Sequence, residues 1–167
     1  MKPSLLRILL MPACAVILAI GAIGGVSCST APTPSGPVQI TKVNPYHLKP
    51  GMWVRSDDQM ILFEHRHHLY GAVTSEEYQD KYGNYYTVFW KSKNPGAPVT
   101  VRLEYRQGST GPTIHAIEAN VTAKKNNTTK FRVNGSYYTD HGPVISWRVV
   151  ILENGTEIAE SKSFLWK

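Results

Sequence analysis

The sequence predicts an all-β fold, an antiparallel two-layer β-sandwich of about seven short strands with one short helical turn. Three observations carry this expectation. Apolar and polar residues alternate cleanly over residues 99–106, where Val99, Val101, Leu103 and Tyr105 face one way and Thr100, Arg102, Glu104 and Arg106 the other. Turn residues recur between such stretches, as in Asn94-Pro95-Gly96 and Asp140-His141-Gly142-Pro143. Asn154-Gly155 is the pair that a tight type I′ hairpin prefers, because both residues tolerate positive φ.

The elements follow in chain order. Residues 38–54 are broken by Pro45, Pro50 and Gly51, with Met52-Trp53-Val54 as one short strand. Asp57-Asp58-Gln59 reads as a turn, and 60–64 and 67–73 as strands. Thr74 and Glu77 have the spacing of a capping box, so a short helix ending near Gly83 follows. Residues 84–91 form a strand with Tyr86, Val88 and Trp90 on one face. The alternating strand 99–106 comes next, then 114–123 with Ile117, Ala119 and Val121 aligned. Residues 124–129 read as a polar turn. Phe131, Val133 and Tyr137 share a face of the next strand, with Gly135 as a bulge. Ile145, Trp147, Val149 and Ile151 form the inner face of 144–152, while Val150 and Leu152 indicate partial cover of its other face. The chain returns through Asn154-Gly155 into a last strand at 157–166.

Residues 67–167 resemble an immunoglobulin-like or fibronectin-III-like domain. Trp90, the 99–106 strand and the 144–166 hairpin carry the resemblance, with Trp90 and Trp147 filling the space between sheets. The cysteine pair of true immunoglobulin domains is absent. An up-and-down barrel is the structural alternative, and the resemblance implies architecture rather than activity. Residues 38–66 read as an N-terminal extension with short strands.

The first 27 residues have the shape of an export signal: Lys2 and Arg7, a nearly unbroken apolar run to Ile23, then Gly24-Gly25-Val26-Ser27 before Cys28. Gly25-Val26-Ser27-Cys28 resembles the lipobox of bacterial lipoproteins, with Gly25 where leucine is usual. The resemblance implies cleavage before Cys28, a diacylglycerol thioether on Cys28 and acylation of the new amino terminus. That covalent lipid is the only non-protein group expected. Ser29, where Asp would favour retention in the inner membrane, implies the outer membrane. Ordinary cleavage after Ala31 is the alternative, giving a soluble secreted protein. Only Cys14 and Cys28 occur, and Cys14 leaves with the leader, so no disulfide framework exists. Residues 28–37 form a Pro/Ser/Thr-rich tether.

Of the 167 residues, about 140 remain after cleavage, enough for one domain with its own core. The net charge of +6 falls to about +4 once Lys2 and Arg7 are lost. No run of five or six basic residues occurs, which argues against nucleic-acid binding. Catalytic signatures are missing too: no Gly-x-Ser-x-Gly elbow, no His-Glu-x-x-His and no glycine-rich phosphate loop. The chain therefore reads as a non-enzymatic envelope lipoprotein whose sandwich contacts another envelope protein. Two alternatives stand beside this. One is a glycan-binding surface built on Tyr85 and Tyr138, the exposed members of two tyrosine clusters. The other is a metal site at His65 and His67, two residues apart on one strand face, completed by Glu64 or His141.

Overall fold

The computed structural model describes residues 36–51 and 57–167. The leader, Cys28, most of the tether and the short strand expected at 52–54 lie outside the described residues. Seven strands form two antiparallel sheets: β1 (Val38–Leu48), β2 (Gly83–Ser92), β3 (Pro98–Gln107), β4 (His115–Thr122), β5 (Asn126–Asn134), β6 (Val144–Glu153) and β7 (Thr156–Lys162). Sheet one has the order β1-β2-β5 and sheet two the order β4-β3-β6-β7. The fold is an all-β immunoglobulin-like antiparallel sandwich in which the fourth strand joins the sheet of the third.

The core lies where the alternation places it. Tyr86, Val88 and Trp90 of β2 face Val99, Val101, Leu103 and Tyr105 of β3, with Val149 and Ile151 of β6 beside them. Trp90 is 1% exposed, and its indole N–H donates to Thr129 Oγ1 at 3.1 Å, so its one polar atom is satisfied inside the core. Trp147 packs edge-on against Tyr86 at 5.8 Å. Val150 and Leu152 are buried on the opposite face of β6. The cross-strand neighbours of Val150 are Arg102 and Glu160, whose aliphatic stems can cover it. Asn154 and Gly155 have φ of 52° and 79°, as the hairpin turn requires.

Several expectations are corrected. Residues 38–48 are not outside the sandwich: β1 pairs with β2 from Val38↔Ser92 to Leu48↔Gly83, and Val38 belongs to the core. Pro45 is tolerated because β1 is an edge strand, where a missing N–H need not break a ladder. The strands expected at 60–64 and 67–73 are replaced by one helix, α1 (Gln59–Leu69). Asp58 caps it, accepting from the Met60 N–H at 2.8 Å, and Arg66 complements its C-terminal dipole. The capping box forms as expected and opens α2 (Ser75–Lys81). Gly135 starts a third helix, α3 (Ser136–His141), at φ 62° rather than a bulge, so Tyr137 leaves the strand face and is 65% exposed. Three helices therefore stand where one was expected. β5 begins at Asn126, inside the expected turn, because Asn127 closes that turn in two bonds to the Lys124 backbone. A bulge shifts the β3–β6 register, pairing Arg106 with Ser146 and Gln107 with Val144, and the skipped Ile145 is half exposed rather than on the inner face. β7 ends at Lys162, short of the expected 166.

Replacing Trp90 removes the largest fully buried side chain and orphans Thr129. Trp90→Ala is expected to lower unfolding free energy by about 3–5 kcal/mol, read as a shift in urea midpoint. Phe89→Ala, next in sequence on the partly exposed outer face, should cost less than half as much.

Candidate functional site

The pleat of β2 sends Tyr85, Thr87, Phe89 and Lys91 to the outer face of sheet one. Register puts Tyr46 and Arg132 beside Tyr85, Asn44 and Lys130 beside Thr87, Lys42 and Thr128 beside Phe89, and Gln39 and Asn126 beside Lys91. Rows of one face are about 6.8 Å apart along a strand, and strands about 4.8 Å apart. Lys42, Lys91, Lys130 and Arg132, all exposed, thus lie within four successive rows spanning about 20 Å. The three strands of sheet one contain no Asp or Glu. Among the described residues, no carboxylate comes within 4.0 Å of these four cations.

Sheet two is built in the opposite way. Every described ion pair lies on its outer face: Arg102 with Glu118 at 2.7 Å and Glu104 at 3.8 Å, and Arg148 with Glu104 at 3.3 Å, Glu160 at 3.0 Å and also Glu157. Exposed pairs of this kind contribute about 0–1 kcal/mol each, so their main effect is to surround two arginines with four glutamates and leave no uncompensated positive charge among them. On sheet one, two cations about 8 Å apart repel by roughly 0.5 kcal/mol in water, a cost that an anionic ligand would remove.

α1 flanks this face. None of its residues is buried, and Met60, Ile61 and Phe63 are 71%, 47% and 63% exposed. Its attachment is aromatic: the His68 ring stacks on Tyr46 at 4.8 Å and meets Tyr85 at 4.1 Å. A groove of about 410 Å³ runs between α1 and the sheet, with Phe63, Glu64, His67 and His68 on one side and Thr87 and Lys130 on the other. Glu64 is the one acid lining it. Burial, reinforced by Glu64, raises the Tyr46 pKa, and burial raises that of Tyr85 against the opposing pull of Arg132. Burial holds the His68 pKa below the ordinary imidazole value, and the neighbouring charges of His67, Lys130 and His65 act in the same direction.

The two tyrosines singled out from sequence do not form one surface. Tyr85 lies on the outer face of sheet one, its ring against His68 and its hydroxyl donating to the Lys81 carbonyl. Tyr138 belongs to α3 and pairs its hydroxyl with His47 Nε2 at 2.8 Å. By register His47 faces the same side as Asn84 and Tyr86, the inner side. Buried Gln107 fixes α3 there by donating to the Tyr137 and Gly142 carbonyls, each at 2.8 Å.

The histidine pair is also redirected. On a helix, residues two apart point about 200° from each other, so His65 and His67 do not aim at one point as they would in a strand. His67 stacks on Phe63 at 6.1 Å, and His141 stacks on His115 at 6.0 Å. Among the described residues, no group of three or more His, Cys, Asp or Glu side chains could hold a metal.

No family model matches this chain, and no curated protein does. A crystal structure of a protein from Akkermansia muciniphila is similar in fold over 85% of this chain and 77% of that one, at 13% identity and a TM-score of 0.45. Among the described residues, no helix is long and apolar enough to cross a membrane.

Sequence reasoning did not bring together Lys42, Lys91, Lys130 and Arg132. Their signal was readable as three acid-free segments, but only the strand order makes those segments neighbours.

The His68 contacts carry a pH dependence whose sign is fixed. A base with a lowered folded-state pKa stabilises its contacts fully above about pH 6.5, its unfolded value, and that contribution is lost as pH falls through the folded value. Amide exchange in α1, corrected for intrinsic rates, should therefore quicken between about pH 7.5 and about pH 5. In His68→Leu it should be fast already at the higher pH and lose most of this response. An unchanged profile in the variant would assign the effect elsewhere.

Proposed function

We propose that this chain is a lipid-anchored cell-envelope protein whose β-sandwich is a binding module, with the outer face of sheet one as its working surface. The anchor reading rests on residues 25–28 and on Cys28 being the one cysteine left after cleavage. Two or more acyl chains at one site suffice for stable membrane attachment, where a single chain does not. Ser29 favours the outer membrane as the destination.

One observation supports the choice of face: five ion-pair contacts join two arginines to four glutamates on sheet two, while sheet one bears four exposed cations and no acid on its strands. Balanced charge is the ordinary state of a solvated face. A single-sign field steers association and selects partners by complementarity. The partner is another envelope component, and it carries negative charge. Recognition of a neutral glycan by ring stacking is disfavoured at Tyr46 and Tyr85, because His68 already covers both.

Two measurements test this. Fatty-acid labelling of the chain in a bacterial host should be lost in Cys28→Ser. The unaltered protein should leave the membrane fraction with detergent and not with salt; recovery of it in the soluble fraction would remove the anchor. A photocrosslinker at position 42 or 87 should give adducts in native envelopes that the same probe at position 100 or 102 does not. Equal adducts from both sheets would remove the assignment of the face.

A further inference from the structure

We infer that the outer face of sheet one, with the groove beside α1 at one end, binds a linear acidic polysaccharide, one bearing carboxylates or sulfates along its chain. This rests on the reading of that face as the working surface, and it names the chemistry of the ligand.

Shape and lining argue for a polymer. The face is three strands wide and carries its cations in successive rows rather than at a single point, with Lys130 alone of the four lining the groove beside α1, so it matches charge repeated along a chain. Between the cations stand Asn44, Thr87, Thr128 and Asn126, all short hydrogen-bonding residues suited to hydroxyl groups. Phe89 at the centre is partly exposed and offers a ring for the face of one sugar. Glu64 sits on the wall and opposes an anion at that end, which leaves the stretch from Lys130 to Lys42 and Lys91 as the main path.

At the end flanked by α1 the shape disfavours a bilayer or a bulky partner. A helix is about 10 Å across, so a flat surface resting on α1 is held off the sheet beside it, where Lys130 lies. A flexible single chain reaches Lys130 beside the helix, whereas a folded acidic surface touches α1 first.

The test uses the full chain in non-ionic detergent, with polygalacturonate and heparin as probes. Neutral dextran, duplex DNA and vesicles containing phosphatidylglycerol serve as the other arms. Expected is binding to one or both acidic polymers, none to dextran, and weakening with salt at a logarithmic slope of about −3 or shallower for four cations. The double variant Lys42→Glu with Lys130→Glu should lose at least about tenfold in affinity. The pair Lys162→Glu with Lys167→Glu makes the same change of net charge on the side of sheet two and should bind as the parent does. Circular dichroism of each variant separates lost binding from lost fold. No binding to either polymer, or equal loss in both double variants, would overturn the proposal. So would DNA or vesicles bound as tightly as the polymers through the same lysines, which would make the face a general anion or membrane surface. If the polymers fail while photocrosslinks from position 42 persist and map to an acidic protein, the ligand class falls and the working face stands.

Discussion

Sheet one has a single central strand, and its pleat decides both sides of the molecule. Tyr86, Val88 and Trp90 point into the sandwich because the core needs them, which sends Tyr85, Thr87, Phe89 and Lys91 outward. A slip of one residue would exchange the two sets and bury a lysine. The Trp90–Thr129 hydrogen bond guards against that slip, since it ties β2 to β5 through an indole that is itself locked in the core. The order of cations on the outer face is therefore fixed by apolar packing on the inner one. The outer face inherits its rigidity from residues buried on the inner one.

The two sheets resolve the same problem of exposed strand surface differently. In sheet two, Glu104 lies between Arg102 and Arg148 and contacts both, so a central carboxylate organises two arginines. Burial pulls the Arg148 pKa down, yet Glu160, Glu157 and Glu104 outweigh it and hold the guanidinium charged. Nothing comparable exists on β1, β2 or β5, where the uncharged outward residues are amides, hydroxyls and aromatics. Mutual repulsion there is small, about 0.5 kcal/mol for a pair, so the fold tolerates it without difficulty. A feature that costs little in stability and is absent from the opposite face of the same domain is better explained by recognition than by folding.

Strands buried on one side were legible because their period is two: 84–91, 99–106, 114–123 and 144–152 all correspond to observed strands, and Asn154-Gly155 forms its turn. β1 was obscured by Pro45, which is informative only once the strand is known to be an edge. α1 was obscured by Met60-Ile61-Leu62-Phe63, a run that fits strand or helix equally; Asp58 as cap and the basic last turn were the deciding signals. Tyr85 was correctly placed opposite the core, but its partner His68 comes from a helix that periodicity did not reveal. The cation set spans β1, β2 and β5, which follow one another in space but not in sequence, and no local pattern reports such neighbours.

α1 brings two of these themes into opposition. Its attachment depends on a neutral His68 between two tyrosines, and its position gives the groove a wall. Acidification adds positive charge at His68, close to Lys130, and so strengthens the field that attracts an anion. The same proton weakens the stacking that holds the wall, because a charged ring gives up more solvation on burial than a neutral one. Affinity set by charge and affinity set by shape therefore respond to pH with opposite sign. A ligand held mainly at Lys130 would gain on acidification, and one held mainly against Phe63 and Met60 would lose. The direction of that response distinguishes the two halves of the site without any change to the protein.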